Sequence, residues 1–335
     1  MARAVALATA VVSLLLAAFA RPSVRSSVRE VPITAAGPAP AVEQFAAVLG
    51  QRLPDGFGIT EVADTAAAAE RLIRDREVYG AIDLGSGAPR VITASGASVA
   101  VAQTLDGVAA GLGQAPGPGA GPAVRDHVPL PAGDPRGAGL AAGALPLVMG
   151  GLLAALGLTR LVRCGARRVA GAVAFAVTGG LATVAVPRFW LGSLDGSAWT
   201  DGGAIALTLV ATSLRVLGLE SLLGPVGFGL GAAVMMLVGN PLSGTAIAPG
   251  MPPGWSGALG HLLPLGSGGR LPRSTAFFDG HGASRPAAVL AGRLTLGVAV
   301  ALVGGLRARA RARPVDEGTA AVAVAVDGPA VPAAA

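Results

Sequence analysis

Apolar and polar positions follow two regimes along this chain. Between residues 28 and 112 they alternate at short helical and strand spacing, whereas elsewhere they merge into runs almost free of charge. Six runs come near the about 20 apolar residues that a helix needs to cross a hydrocarbon core. They are Ala4–Ala20, Leu140–Leu158, Val169–Val186, Gly203–Leu219, Leu222–Val238 and Ala287–Leu306. The second, third and fifth carry no charge, the fourth holds Arg215 and the sixth holds Arg293. The first run also fits a secretory signal peptide, because Arg3 precedes it and Ala18-Phe19-Ala20 is an A-x-A cleavage pattern.

The 28–112 region predicts a small α+β domain. Phe45, Val48, Leu49 and Leu53 recur at helical spacing in 41–53, and Asp64 is the expected N-cap of a helix over 64–77. Strands are expected at 58–62, 78–84 and 90–95, the last two joined by the turn "GSGAP", with a further strand near Val28–Thr34. A final helix is expected over 98–112. "GQAPGPGAGP" (113–122) and the Pro/Gly stretch 129–139 then read as a linker.

Composition decides the solvent. Only 13% of the residues are charged and 52% are apolar, against about 25% charged in soluble domains, so a bilayer is expected around the long runs. The 51 glycines agree with that. All basic residues are arginine and the net charge is +6. They are spread along the chain and accompanied by a single tyrosine, which argues against nucleic acid as a partner. The lone Cys164 cannot form an internal disulfide.

Arginine asymmetry orients the runs. Arg160, Arg163, Arg167 and Arg168 follow the second run, and Arg307, Arg309, Arg311 and Arg313 follow the sixth. With six spans both clusters share one side, expected to be the cytoplasm together with both termini. Residues 21–138, 187–202 and 240–286 then lie outside, with Trp190 and Trp199 at the outer interface. The fold class expected is an α-helical membrane protein: six transmembrane helices with an extracytoplasmic α+β domain between helices 1 and 2. Its parts are a first helix or signal peptide (1–20), the external domain (21–112), the linker (113–139), a five-helix membrane domain (140–306) and a disordered cytoplasmic tail (307–335). The setting expected is a bacterial inner membrane.

Chemistry is sparse. With no lysine there is no Walker A site, and neither G-x-S-x-G nor H-E-x-x-H occurs. His127, His261 and His281 lack metal-ligand spacing, and "DGHGAS" (279–284) reads as a polar loop. No enzyme, cofactor or metal is expected. Arg215, Glu220 and Arg293 remain, in or at the ends of apolar runs. A charge near the bilayer centre costs at least about 2.5–3.5 kcal/mol and usually faces the bundle or a cavity, unless it snorkels to an interface. These three are the candidates for a transport path or gate. Asn240-Pro241 ends the fifth run, and Asn240, Pro241, Ser243 and Gly244 open a Gly/Pro-rich segment (240–286). That segment reads as a partly buried, re-entrant-like outer cap, with Phe277 and Phe278 returning to membrane level.

The stretches "GLESLLGPVGFGLGAAVMMLVGNPLSG" (218–244), "LPLGSGG" (263–269) and "RSTAFFDG" (273–280) resemble the C-terminal half of ABC-2-type membrane proteins, in particular the YhgE/Pip-like branch. "DREVYGAIDL" (75–84) and "TASGAS" (93–98) resemble the outer domain of that branch. The resemblance implies a six-helix permease subunit that exports a hydrophobic or amphipathic substrate. Its partners would be the lipid bilayer, an ATPase on a separate chain and a second copy of itself. The alternative is a non-transporting envelope protein whose external domain binds a ligand, a partner or the cell wall.

Overall fold

The computed structural model describes residues 30–85, 89–112, 123–239 and 264–312, with a few scattered positions before residue 14. The first apolar run, the motif Asn240, Pro241, Ser243 and Gly244, and the tail beyond Ala312 lie outside the described residues. The structure is mostly helical and has two parts, a sheet domain and a helix bundle.

The sheet domain follows the short-period pattern. Its strands are β1 (Val31–Ala36), β2 (Phe57–Ala63), β3 (Gly80–Asp83), β4 (Arg90–Thr93) and β5 (Ala123–Asp126). Its helices are α1 (Ala39–Arg52), α2 (Ala66–Arg74) and α3 (Val99–Leu112). The strand order is β2-β1-β3-β4-β5, with β3 and β4 antiparallel and the other pairs parallel. Central β1 is buried on both faces, which explains its near-continuous apolar run. Val31, Ile33, Ile82 and Val91 face α1 and α3, where Phe45, Leu49, Val101 and Leu105 cover them. The opposite face is lined by small residues, Ala36, Ala63, Ala81, Ala94 and Ala97, beside Ile92 and α2.

Three expectations are corrected here. The segment assigned to the linker contributes the fifth strand. β5 is four residues long and rich in charge, and only pairing with the open edge of β4 identifies it. The N-cap of α2 is Thr65, not Asp64: its Oγ1 accepts from the Ala68 N–H at 3.2 Å. Phe278 does not return to membrane level but lies buried on the alanine-lined face of the sheet.

The bundle comprises α4 (Ala138–Leu161), α5 (Gly165–Ala185), α6 (Ala198–Leu223), α7 (Pro225–Ala233), α8 (Pro264–Phe277) and α9 (Ser284–Ala312). Gly165–Trp190, Ala198–Leu223 and Ser284–Arg307 are long and apolar enough to cross a membrane, and Pro146–Leu161 and Pro225–Met236 are apolar over shorter stretches. α6 is the hub and packs against all the other helices of the bundle. Small residues set its contacts. A Cβ at position 180 of α5 would lie 2.7 Å from the Gly202 carbonyl oxygen, and one at position 297 of α9 would lie 3.0 Å from the Leu214 carbonyl carbon. Leu153, Val173, Val177, Leu296 and Leu302 point outward from the surrounding helices. Apolar side chains facing away from a well-packed centre are the inverse of a water-soluble surface and suit lipid.

Candidate functional site

The bundle has two chemically distinct ends, and α5, about 31 Å long, spans the distance between them. At one end the sheet domain sits against the α5–α6 connection and the α8–α9 turn. Arg76 of the sheet domain donates to the Arg270 carbonyl at 3.2 Å and to Ser274 Oγ, and its guanidinium lies 5.0 Å over the Phe278 ring. Burial, with Arg270 and Arg273 nearby, lowers its pKa to about 10, so it stays charged at neutral pH. Arg273 Nη1 donates to the Ala97 carbonyl at 2.9 Å, and His281 Nδ1 lies 2.8 Å from Asp75 Oδ1. A cleft of about 300 Å³ opens in this junction, lined among others by Arg74, His127, Asp195 and Asp279. Trp190 and Trp199 are 82% and 77% exposed at the same end.

At the opposite end the arginine-rich α4–α5 turn meets the ends of α6 and α9. Arg168 is fully engaged. Its Nε donates to the Val162 carbonyl at 2.6 Å, its Nη2 to the Thr159 carbonyl at 3.0 Å and its Nη1 to Glu220 Oε2 at 2.9 Å. It thus ties the end of α4 to α6 and neutralises Glu220. Glu220, expected in or at the end of an apolar run, lies in the last turn of α6, which continues to Leu223 and turns at Gly224, whose φ of 64° suits glycine. A cavity of about 1150 Å³ lies between the start of α5, the end of α6 and the end of α9. Arg163, Arg168 and Glu220 line its polar side, and Val169, Leu217, Leu302 and Leu306 line its apolar side.

Arg215 and Arg293 lie deeper in the bundle. Arg215 is about 12 Å before the end of α6, and Arg293 is about 14 Å from the start of α9. The helices run parallel here, since Gly297 abuts Leu214 and Gly304 abuts Ser221. This register puts Arg293 about one turn from the level of Arg215 on the neighbouring helix. Arg215 Nη1 is buried without a hydrogen-bond partner among the described residues, and neither arginine forms a salt bridge there. The structure therefore puts Arg215 and Arg293 on the packed helices α6 and α9 and Glu220 in a separate pair with Arg168. Sequence reasoning missed Arg163 and Arg168 as wall and tether. Their only signal was their position in the turn used to assign sidedness.

No family model, curated protein or solved structure matches this chain.

Proposed function

We propose that this chain is the membrane-spanning subunit of an ABC-2-type exporter for hydrophobic or amphipathic substrates, with its ATPase on a separate chain. In this reading six helices cross an inner membrane, the sheet domain is extracytoplasmic and both termini are cytoplasmic. The arginine-rich turn and the end of α9 meet at the cavity, remote from the sheet domain, as one cytoplasmic face requires. The exposed tryptophans at the sheet-domain end suit an outer interface. The observation that carries the reading is the Arg215–Arg293 pair. Two cations on packed apolar helices, about one turn apart in level, are retained against a cost of about 2.5–3.5 kcal/mol each, the usual mark of a substrate or ion path.

Affinity isolation of the full chain from its native membrane, paired with efflux assays, tests this. An ATPase chain should co-purify. Arg215→Gln and Arg293→Gln should each reduce efflux by about tenfold at unchanged abundance, the effect of one lost charge-assisted contact. No ATPase partner together with unaltered efflux on deleting the protein would overturn the reading.

The junction cleft favours a second reading, in which the external domain binds a ligand and the helices serve as anchor. Arg74, His127 and Asp279 offer both charge signs there. A chimera carrying the sheet domain on an unrelated helix would retain function under this reading and lose it under the first.

A further inference from the structure

Arg215 and Arg293 form no salt bridge among the described residues, and acids are scarce in the sequence around them. There is no Asp or Glu before Glu30, none between Asp201 and Glu220 and none between Glu220 and Asp279. Glu220 is occupied by Arg168. Asp201 lies near the other end of α6, about 21 Å from Arg215 along the helix. The acids after Asp279 begin at Asp316, beyond the end of α9. So among the described residues no carboxylate lies at the helix level of Arg215 and Arg293.

The end cavity shows the same imbalance. α5 begins there without a side-chain cap, so its first N–H groups and positive dipole end sit beside Gly165 and Ala166 in the cavity wall. Arg167 and Arg168 occupy its first turn, where the dipole disfavours cations, and Arg163 adds a third. Glu220 and Ser221 also line the wall, the carboxylate held by Arg168, which leaves Arg163 as the excess charge; the rest is apolar and belongs to α6 and α9, the helices that carry Arg215 and Arg293. Leu217 lies within a turn of Arg215, and Ala301 lies about two turns from Arg293.

We infer that this cavity receives an anionic amphiphile, a molecule with a phosphate or carboxylate head and an acyl tail. The head sits on Arg163 and the start of α5, the tail lies along α6 and α9, and the Arg215–Arg293 pair is the next station for the head. This names the substrate class of the export reading and rests on it only for net movement; binding needs neither ATP nor a partner.

Native mass spectrometry of the full chain in mixed micelles tests it, with phosphatidylglycerol and phosphatidylcholine of identical acyl chains as probes. Retention of phosphatidylglycerol should exceed that of phosphatidylcholine by about tenfold, as one charge-assisted contact implies. Arg163→Gln and Arg293→Gln should each reduce the preference, while Arg52→Gln in the sheet domain keeps it and controls for folding. Glycerol phosphate, the head without a tail, should not compete. Equal retention of the two lipids, or a preference unaltered by both variants, overturns the inference. So does full competition by glycerol phosphate, which would mark a site for free phosphate. Preferential binding without efflux would uphold the substrate class and sink the transport reading; efflux without preferential binding would do the reverse.

Discussion

Arg168 satisfies three acceptors with one guanidinium, and its removal should be felt more than most single changes. Arg168→Ala would leave the Thr159 and Val162 carbonyls at the end of α4 without this donor and the Glu220 carboxylate, 13% exposed, without its cation. Breaking one side of a buried pair costs about 3 kcal/mol or more. Glu220→Gln keeps an acceptor for Arg168 and should cost only about 1 kcal/mol, the net worth of an ordinary hydrogen bond. Denaturation of the two variants and their double mutant in micelles measures the asymmetry, and equal losses would refute it. His127 supplies a pH signal in the sheet domain. Burial holds its imidazole below the usual range, only partly offset by Glu70, whose Oε2 lies 3.7 Å away. As pH falls through the ordinary histidine value of about 6.5, the unfolded chain takes up the proton first. The stability His127 contributes is therefore present above that value and lost as pH falls toward its depressed folded one. Hydrogen-exchange protection in α2, taken relative to the intrinsic rate at each pH, should fall between pH 7 and 6 in the full chain, and His127→Gln should flatten that slope. An unchanged slope would remove His127 from the explanation.

The contact between β-sheet and bundle turns on one aromatic side chain. Phe278 packs on a face built mostly from alanines beside Ile73, Val78 and Ile92, and Arg76 stacks on it while bonding to Ser274. Phe278→Ala should cost about 3 kcal/mol or more, as a large-to-small change in a core does. The loss should appear as faster hydrogen exchange in α2 and β4, with α5 and α6 unaffected. Uniform loss across both parts would mean that the contact is not local. Gly180 is the matching case inside the bundle. With the Gly202 carbonyl so close, Gly180→Ala should push α5 from α6 at about 1–3 kcal/mol, the usual range for overpacking. A thermal melt unchanged from the parent chain would contradict that. These elements also show what the sequence could disclose. Strands β1 to β4 and helices α1 to α3 were legible because their apolar periods are local. β5 was not, since four residues with two charges carry no period and gain their identity from the open edge of β4. Phe278 was assigned to the membrane for a similar reason: its aromatic character was visible, but its partners lie about two hundred residues earlier. Arg215 and Arg293 were recognisable singly as costly charges. Their proximity depends on the parallel pairing of α6 with α9, and no local pattern encodes that.

Sidedness unites these observations, because every functional reading of the bundle depends on which end faces the cytoplasm. The two ends differ in kind: one carries the sheet domain and exposed tryptophans, the other the cavity and the arginine-rich turn. Arginine flanking short loops favours the cytoplasmic side because translocating it is costly. The single native cysteine lies in that turn, so a Cys164→Ser background comes first. Single cysteines at Arg163 and Arg307 should then resist a membrane-impermeant thiol reagent in intact cells and react after permeabilisation. A cysteine at Arg52, on the exposed surface of α1, should react in intact cells, as should one at Trp199, exposed at the sheet-domain end. If Arg163 and Arg307 react from opposite sides, α5, α6 and α9 cannot cross as one bundle with the cavity at a single face. If Arg52 and Arg163 react from the same side, the sheet domain and the arginine-rich turn share a compartment. An odd number of crossings between them would then be excluded, and the cavity could not load from the face opposite to the sheet domain.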